Sequence, residues 1–202
     1  MRPSFSVIVF TVLAGAGYGL WLWLGLALAL GIYPLGRSIV LVPLAFGFVL
    51  VSVGLLASTS HLGKPQRAWR GFSQWRSSWL SREAVLAVVT YVPMVAVALL
   101  AHGDHGDAPT RAAGLLLAVF AGATVFATAH IYHALKPIAA WRNALVVPGY
   151  LLMAMASGGL WLWLFLAVRY HSHGLHREGV ASTFLADRIA EGETVPVYVD
   201  TN

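Results

Sequence analysis

Cysteine is absent from the 202 residues. That excludes disulfides, cysteine-ligated iron–sulfur clusters and Cys-containing zinc sites from this chain, so electrons that travel by such clusters do so in a partner. Charge is scarce as well: 10% of the residues are Asp, Glu, Lys or Arg, against about 25% in a soluble domain. The middle of every apolar run lacks charge, and a proton pump or ion transporter normally needs acids or bases there. Phosphate-binding glycine motifs are missing, as is a Ser-x-x-Lys or His–Asp nucleophile arrangement with a plausible pocket. In a chain this apolar, a sequence pI near 9.9 reports orientation and anionic headgroups rather than nucleic acid.

What is abundant is apolar surface, 58% of the residues, in runs longer than the roughly 20 residues needed to cross a bilayer. The pattern predicts an all-α, polytopic transmembrane helix bundle with helices over 5–31, 39–60, 84–101, 111–135 and 144–168. A transmembrane domain then covers 1–169, and 170–202 is a polar tail. The first run is longer than a signal-peptide core and lacks a clear small-x-small cleavage site, so it is expected to be retained. Gly15, Gly17, Gly19 and Gly25 allow close helix approach. Pro43 is tolerated early in its helix, and Pro93 predicts a kink. Tyr18, Trp21, Trp23 and Tyr33, with the Leu-Trp-Leu-Trp-Leu phrases at 20–24 and 160–164, read as interfacial aromatic belts. Five crossings put Arg2, Lys64, Arg67, Arg70, Arg76, Arg82, Lys136 and Arg142 on one side. Arg37, Arg111, Arg169, Arg177 and Arg188 fall on the other. The positive-inside rule puts the more basic side in the cytoplasm.

The long polar segment 58–83 separates two of these runs. Trp69, Phe72, Trp75 and Trp79 share one helical stripe, as an amphipathic helix lying among lipid headgroups would. Its Arg67, Arg70, Arg76 and Arg82, with Lys136 and Arg142 of the same side, suit lipid phosphates and partner docking. His61 closes the second helix, Glu83 opens the third, and His130, Tyr132 and His133 fall in the last turns of the fourth. The protonatable residues thus gather at one membrane boundary. A quinone site needs an apolar pocket near that boundary and a hydrogen-bond partner able to take a proton near neutrality, which His61 supplies. Glu83 could pass the proton on, Ser60, Lys64 and Tyr132 could orient the second ring oxygen or the headgroup side, and His133 is a further candidate for quinone binding or proton transfer. Spacing alone leaves His61 as a helix-end residue or a ligand. It leaves Glu83 as a partner of the helix dipole or a proton carrier. His171, His173 and His176 read as solvated tail residues rather than a metal site.

The motifs Ser60-His61-Leu62-Gly63-Lys64-Pro65, Arg67-Ala68-Trp69 and Ser78-Trp79-Leu80-Ser81-Arg82-Glu83 resemble the membrane anchor subunits of dimethyl sulfoxide reductases and related membrane sulfite dehydrogenases. Ile131-Tyr132-His133-Ala134-Leu135-Lys136-Pro137, Trp141 and Pro148-Gly149-Tyr150 extend the resemblance, which covers about 5–168. It implies a complex with a molybdopterin catalytic subunit and an iron–sulfur subunit of ferredoxin type. The anchor exchanges electrons with menaquinone or ubiquinone and carries no haem, no iron–sulfur cluster and no molybdenum. It implies a quinol-site histidine at His61 and a functional glutamate at Glu83. Family anchors usually have further helices, C-terminal to the site motifs. Two other readings remain open on the residues: a b-type cytochrome pairing His61 with His130 or His133, and a purely structural tether.

Overall fold

The computed structural model describes residues 5–34, 36–60, 72–102, 107–134 and 143–190, with residues 60, 107 and 172–190 described by their backbone alone. Every regular element among the described residues is helical: α1 (Phe5–Ala29), α2 (Arg37–Ser60), α3 (Trp79–Val89), α4 (Tyr91–His102), α5 (Asp107–Ala134) and α6 (Val146–Ala190). Five stretches are long and apolar enough to cross a membrane: Phe5–Ala29, Arg37–Thr59, Trp79–His102, Ala108–Ala134 and Val146–His171. This is the expected helical membrane bundle. Residues 1–163 form one compact unit and 164–202 another.

Within the first unit α1 is the hub, because small residues let three helices approach its backbone. Gly17 meets Val51 and the Gly47 carbonyl of α2, Gly25 meets Gly114 and Ala118 of α5, and Gly19 meets Ala154 and Gly158 of α6. A Cβ on Gly19 would fall on the Ala154 carbonyl, and one on Gly158 on the backbone of Gly19. Side-chain volume is excluded at these crossings, which is how helices associate when lipid is as apolar as the partner.

Spare backbone groups find partners at the end of α1 and at the proline of α2. α1 ends in a glycine cap: Gly31 has φ +69, its N–H bonds the Leu28 carbonyl at 3.0 Å, and the Ile32 N–H bonds the Ala27 carbonyl at 3.1 Å. That pair of bonds is the Schellman motif. Pro43, inside α2, has no N–H for the carbonyl of Ile39 four residues back. The Tyr33 hydroxyl donates to that same carbonyl at 3.0 Å. Burial pushes the Tyr33 phenol up to about 12, so it stays a neutral donor.

Several expected boundaries move. The third span starts at Trp79, and its break falls at Thr90, between α3 and α4, rather than at Pro93. Proline cannot bond the carbonyl of Val89, and its ring crowds that turn, so the helix interrupts before the proline instead of bending at it. The Thr90 hydroxyl shares the Leu86 carbonyl, at 2.7 Å, with its own backbone N–H at 2.9 Å and lies 3.2 Å from the Thr124 hydroxyl of α5. α5 begins at Asp107 and α6 continues to Ala190, past the end expected near 168. Tyr18 and Trp21 are not belt residues: they are 3% and 0% exposed. Their polar atoms are satisfied inside the bundle, Tyr18 Oη by the Ala87 carbonyl at 3.3 Å and Trp21 Nε1 by the Leu44 carbonyl at 3.1 Å. Trp23 does keep a partly exposed edge, with Nε1 on the Met155 carbonyl at 2.8 Å.

Candidate functional site

Because α3 begins at Trp79, Glu83 lies one turn inside it rather than at its mouth, and is 7% exposed. A charged side chain in hydrocarbon costs roughly 2.5–3.5 kcal/mol even on the mildest insertion scale, so such a group needs polar partners. Thr128 supplies one: its Oγ1 donates to Glu83 Oε1 at 2.5 Å. The same Oγ1 lies 3.1 Å from the Thr124 carbonyl, so one hydroxyl hydrogen has two acceptors within reach. Tyr18 of α1, Tyr132 of α5 and Tyr150 of α6 lie within electrostatic reach of the carboxyl. The rings of Tyr132 and Tyr150 stack at 5.1 Å and 21°, with their hydroxyls hydrogen-bonded to each other.

Thr128, Tyr18 and Tyr150 also line a cavity of about 680 Å³ between α1, α5 and the first half of α6. Its walls are chiefly apolar, from Phe10, Val12 and Ala14 through Val125 to Met153 and Trp161. The volume falls within the roughly 300–1,000 Å³ typical of small-molecule pockets. Gly15 and Gly149 border it, and a Cβ on either would meet nothing within 4 Å. Val12 and Met153 are 61% and 74% exposed and belong to membrane-spanning stretches, so the mouth faces hydrocarbon. The lining follows α6 from Val146 to Trp161, about 22 Å at 1.5 Å per residue. The cavity is therefore long, oily, open to lipid and polar at a few points, one of them bonded to a buried carboxyl.

Of the residues singled out in the sequence, Glu83 is buried behind this cavity and Tyr132 lies within electrostatic reach of that carboxyl. His133 belongs to a neighbouring aromatic group: its ring is 6.0 Å from that of His130, which packs against Trp79 at 4.3 Å and Phe126 at 4.5 Å. The Nδ1 atoms of His130 and His133 are buried without a hydrogen-bond partner among the described residues. Arg82 anchors the end of the polar segment, with Nε on the Trp75 carbonyl at 3.0 Å, Nη2 on the Arg76 carbonyl at 2.7 Å and its guanidinium over the Trp79 ring at 4.5 Å. Arg76 lies over the Trp75 ring at 5.8 Å. From Phe72 to Ser77 the chain winds through turns, so the expected continuous stripe stops there, and Trp79 opens α3 instead. Ser60 ends α2. His61, Lys64, Arg67, Trp69, Arg70, Lys136 and Arg142 lie outside the described residues. No three His, Asp or Glu side chains come together among the described residues.

Thr128, Tyr18 and Tyr150 were not among the residues the sequence picked out for the site. The signal was there, in uncharged hydroxyls spaced i, i+4 at Thr124 and Thr128 within an alanine-rich run, but a search for charge passes over it.

The family model for the DMSO reductase anchor subunit (DmsC) matches residues 1–189. Among curated proteins the chain is similar to the C-subunit of sulfite dehydrogenase from Allochromatium vinosum, 34% identical over 181 residues, covering 78% of this chain and 53% of that protein. The chain thus spans about half the length of this relative. A stretch of 36 residues, 18% of the chain, is 53% identical to the NADPH sulfite reductase flavoprotein alpha-component of Bacillus subtilis and covers 6% of it. That is a local likeness. No solved structure matches.

Proposed function

The chain belongs to the DMSO reductase anchor subunit family, and from that premise we propose that it is the quinone-reactive membrane subunit of a molybdopterin and iron–sulfur oxidoreductase, either sulfite dehydrogenase-like or dimethyl sulfoxide reductase-like. Its substrate on the membrane side is a quinone or quinol, which reaches the protein through lipid. Its electron partner is an iron–sulfur subunit of ferredoxin type, docked with the catalytic subunit on the basic side of the bundle. The membrane is the bacterial inner membrane and that side is cytoplasmic, by the excess of Lys and Arg there.

The observation that carries this reading is the lipid-open cavity whose Thr128 hydroxyl bonds the buried Glu83 carboxyl. A lipid-soluble ring with a polyisoprenoid chain matches its polarity and length. The ring oxygens need a hydrogen-bonding, proton-exchanging partner, and the apolar walls supply none beyond the few hydroxyls and the carboxyl behind them. His61 is part of the proposal as a second proton acceptor, on the strength of its place in the family motif. Lys64 and Ser60 keep the orienting roles expected of them, and Arg67, Arg70, Arg76, Lys136 and Arg142 the docking role. The test is binding of a quinone-site inhibitor to the purified complex. Gly15→Leu fills open space, so it should abolish inhibitor binding while the complex still assembles. Unchanged inhibitor affinity in an assembled Gly15→Leu complex contradicts the proposal.

A further inference from the structure

We propose that Thr128 is the relay through which protons pass between the cavity and Glu83; the proposal rests on the quinone reading above and names a step within it. Glu83 is not part of the cavity wall, whereas Thr128 is. A proton leaving a molecule in the cavity reaches the carboxyl by way of the atom that touches both.

That atom is suited to the task by its two acceptors. With Glu83 ionised, the Thr128 hydroxyl donates to Oε1 at 2.5 Å, and its lone pairs accept from the cavity side. With Glu83 protonated, the carboxyl O–H donates to Oγ1, and the threonine hydrogen turns to the Thr124 carbonyl at 3.1 Å. Both protonation states are hydrogen-bonded, and only one hydroxyl rotates between them. A buried group left unpaired in either state would cost about 1–3 kcal/mol, and this pairing avoids that cost in both.

Three further hydroxyls among the described residues lie within electrostatic reach of Glu83, and each has a partner of its own. Tyr18 from α1 donates to the Ala87 carbonyl. Tyr132 from α5 and Tyr150 from α6 bond each other. On α5 the line of hydroxyls continues inward from Thr128 to Thr124 and across to Thr90, and each threonine is back-bonded to its own helix.

The step balances. A quinol O–H bond breaks and its proton bonds to Thr128 Oγ1 as the Oγ1 hydrogen passes to Glu83 Oε1. Glu83 then gives the proton to the aqueous side, and the second quinol proton follows the same route. The two electrons leave singly to a one-electron acceptor, the iron–sulfur cluster of the partner subunit, which is reduced. Quinone reduction runs every transfer in reverse.

The test uses the assembled complex with its partner subunits. Thr128→Val keeps the shape and removes the hydroxyl, so quinol-coupled kcat should fall on the order of 100-fold, the usual worth of a placed proton-transfer group. Inhibitor Kd should stay within roughly threefold, since the lost contact acts in the transition state. Thr128→Ser should restore turnover. In the infrared difference spectrum of quinone reduction, a carboxyl band lost in Glu83→Gln should be displaced in Thr128→Val and return in Thr128→Ser. Parental turnover in Thr128→Val, a serine variant that assembles without rescue, or a carboxyl band that does not move, each overturns the relay. If the parental complex binds no quinone-site inhibitor, the quinone reading itself fails and the relay with it. If it binds the inhibitor and Glu83→Gln is inactive while Thr128→Val is not, the relay alone fails.

Discussion

Glu83 and Thr128 stand 45 residues apart in the chain and meet because α3 and α5 pack side by side. The carboxyl was legible in the sequence, since an acid beside an apolar run attracts attention by its cost. Its partner was not, because threonine is common in membrane helices and its role depends on which face meets the carboxyl. Tyr18 and Trp21 were misread for a related reason. Aromatics near a helix end suit an interface, but these two find carbonyl acceptors inside the bundle, at Ala87 and Leu44, which a single helix cannot reveal. At this scale the prediction is that Glu83→Gln, which keeps size and hydrogen bonding but cannot carry the proton onward, lowers quinone-coupled turnover on the order of 100-fold. Turnover of the same complex with a soluble one-electron dye that bypasses the membrane subunit should be unchanged. Equal loss with both donors would mean that the substitution damages assembly rather than proton transfer.

Helix existence followed from run length and composition, and all five spans are where apolar runs predicted them. Helix limits followed less well, because they depend on which backbone groups find partners. Pro93 announced an interruption, yet it falls three residues earlier, at Thr90, because the proline leaves the Val89 carbonyl without its helical N–H. Pro43 announced none and produces none in α2, since Tyr33 takes the carbonyl that the proline leaves spare. Tyr33→Phe should therefore cost about 1 kcal/mol, the net worth of one hydrogen bond. Differential scanning calorimetry should show a Tm lower by roughly 2–4 °C; an unchanged Tm would mean that the carbonyl finds other company. The glycines of α1 make a sharper contrast. Gly19 is pressed against Ala154 and Gly158, whereas Gly15 looks into open space. Gly19→Leu should prevent α6 from packing on α1 and abolish recovery of a monodisperse complex in size-exclusion chromatography. Gly15→Leu should assemble normally and lose only the ligand. Normal assembly of Gly19→Leu would contradict the crossing described.

For the molecule as a whole, membrane character was plain from scarce charge and long apolar runs, but the cavity was not, because it belongs to three helices at once. Its walls are ordinary membrane residues, and only their spacing around Gly15 and Gly149 leaves room. The topology is testable with the cysteine-free background. Ser73→Cys, in the segment before α3, should react with an impermeant maleimide only from the cytoplasmic side. Ile32→Cys, in the turn after α1 and 73% exposed, should react only from the opposite side; the reverse pattern inverts the proposed orientation and moves the partner with it. A lipid-borne quinone is proposed to occupy the space beside Thr128. The most direct measurement is cross-linking of the assembled complex in membranes with a photoreactive quinone, followed by peptide mapping. Label is expected on residues 10–18 of α1 and 145–157 at the start of α6, removed by excess unmodified quinone and by Gly15→Leu. Competable label confined to other segments, with none on these two, would contradict that occupancy.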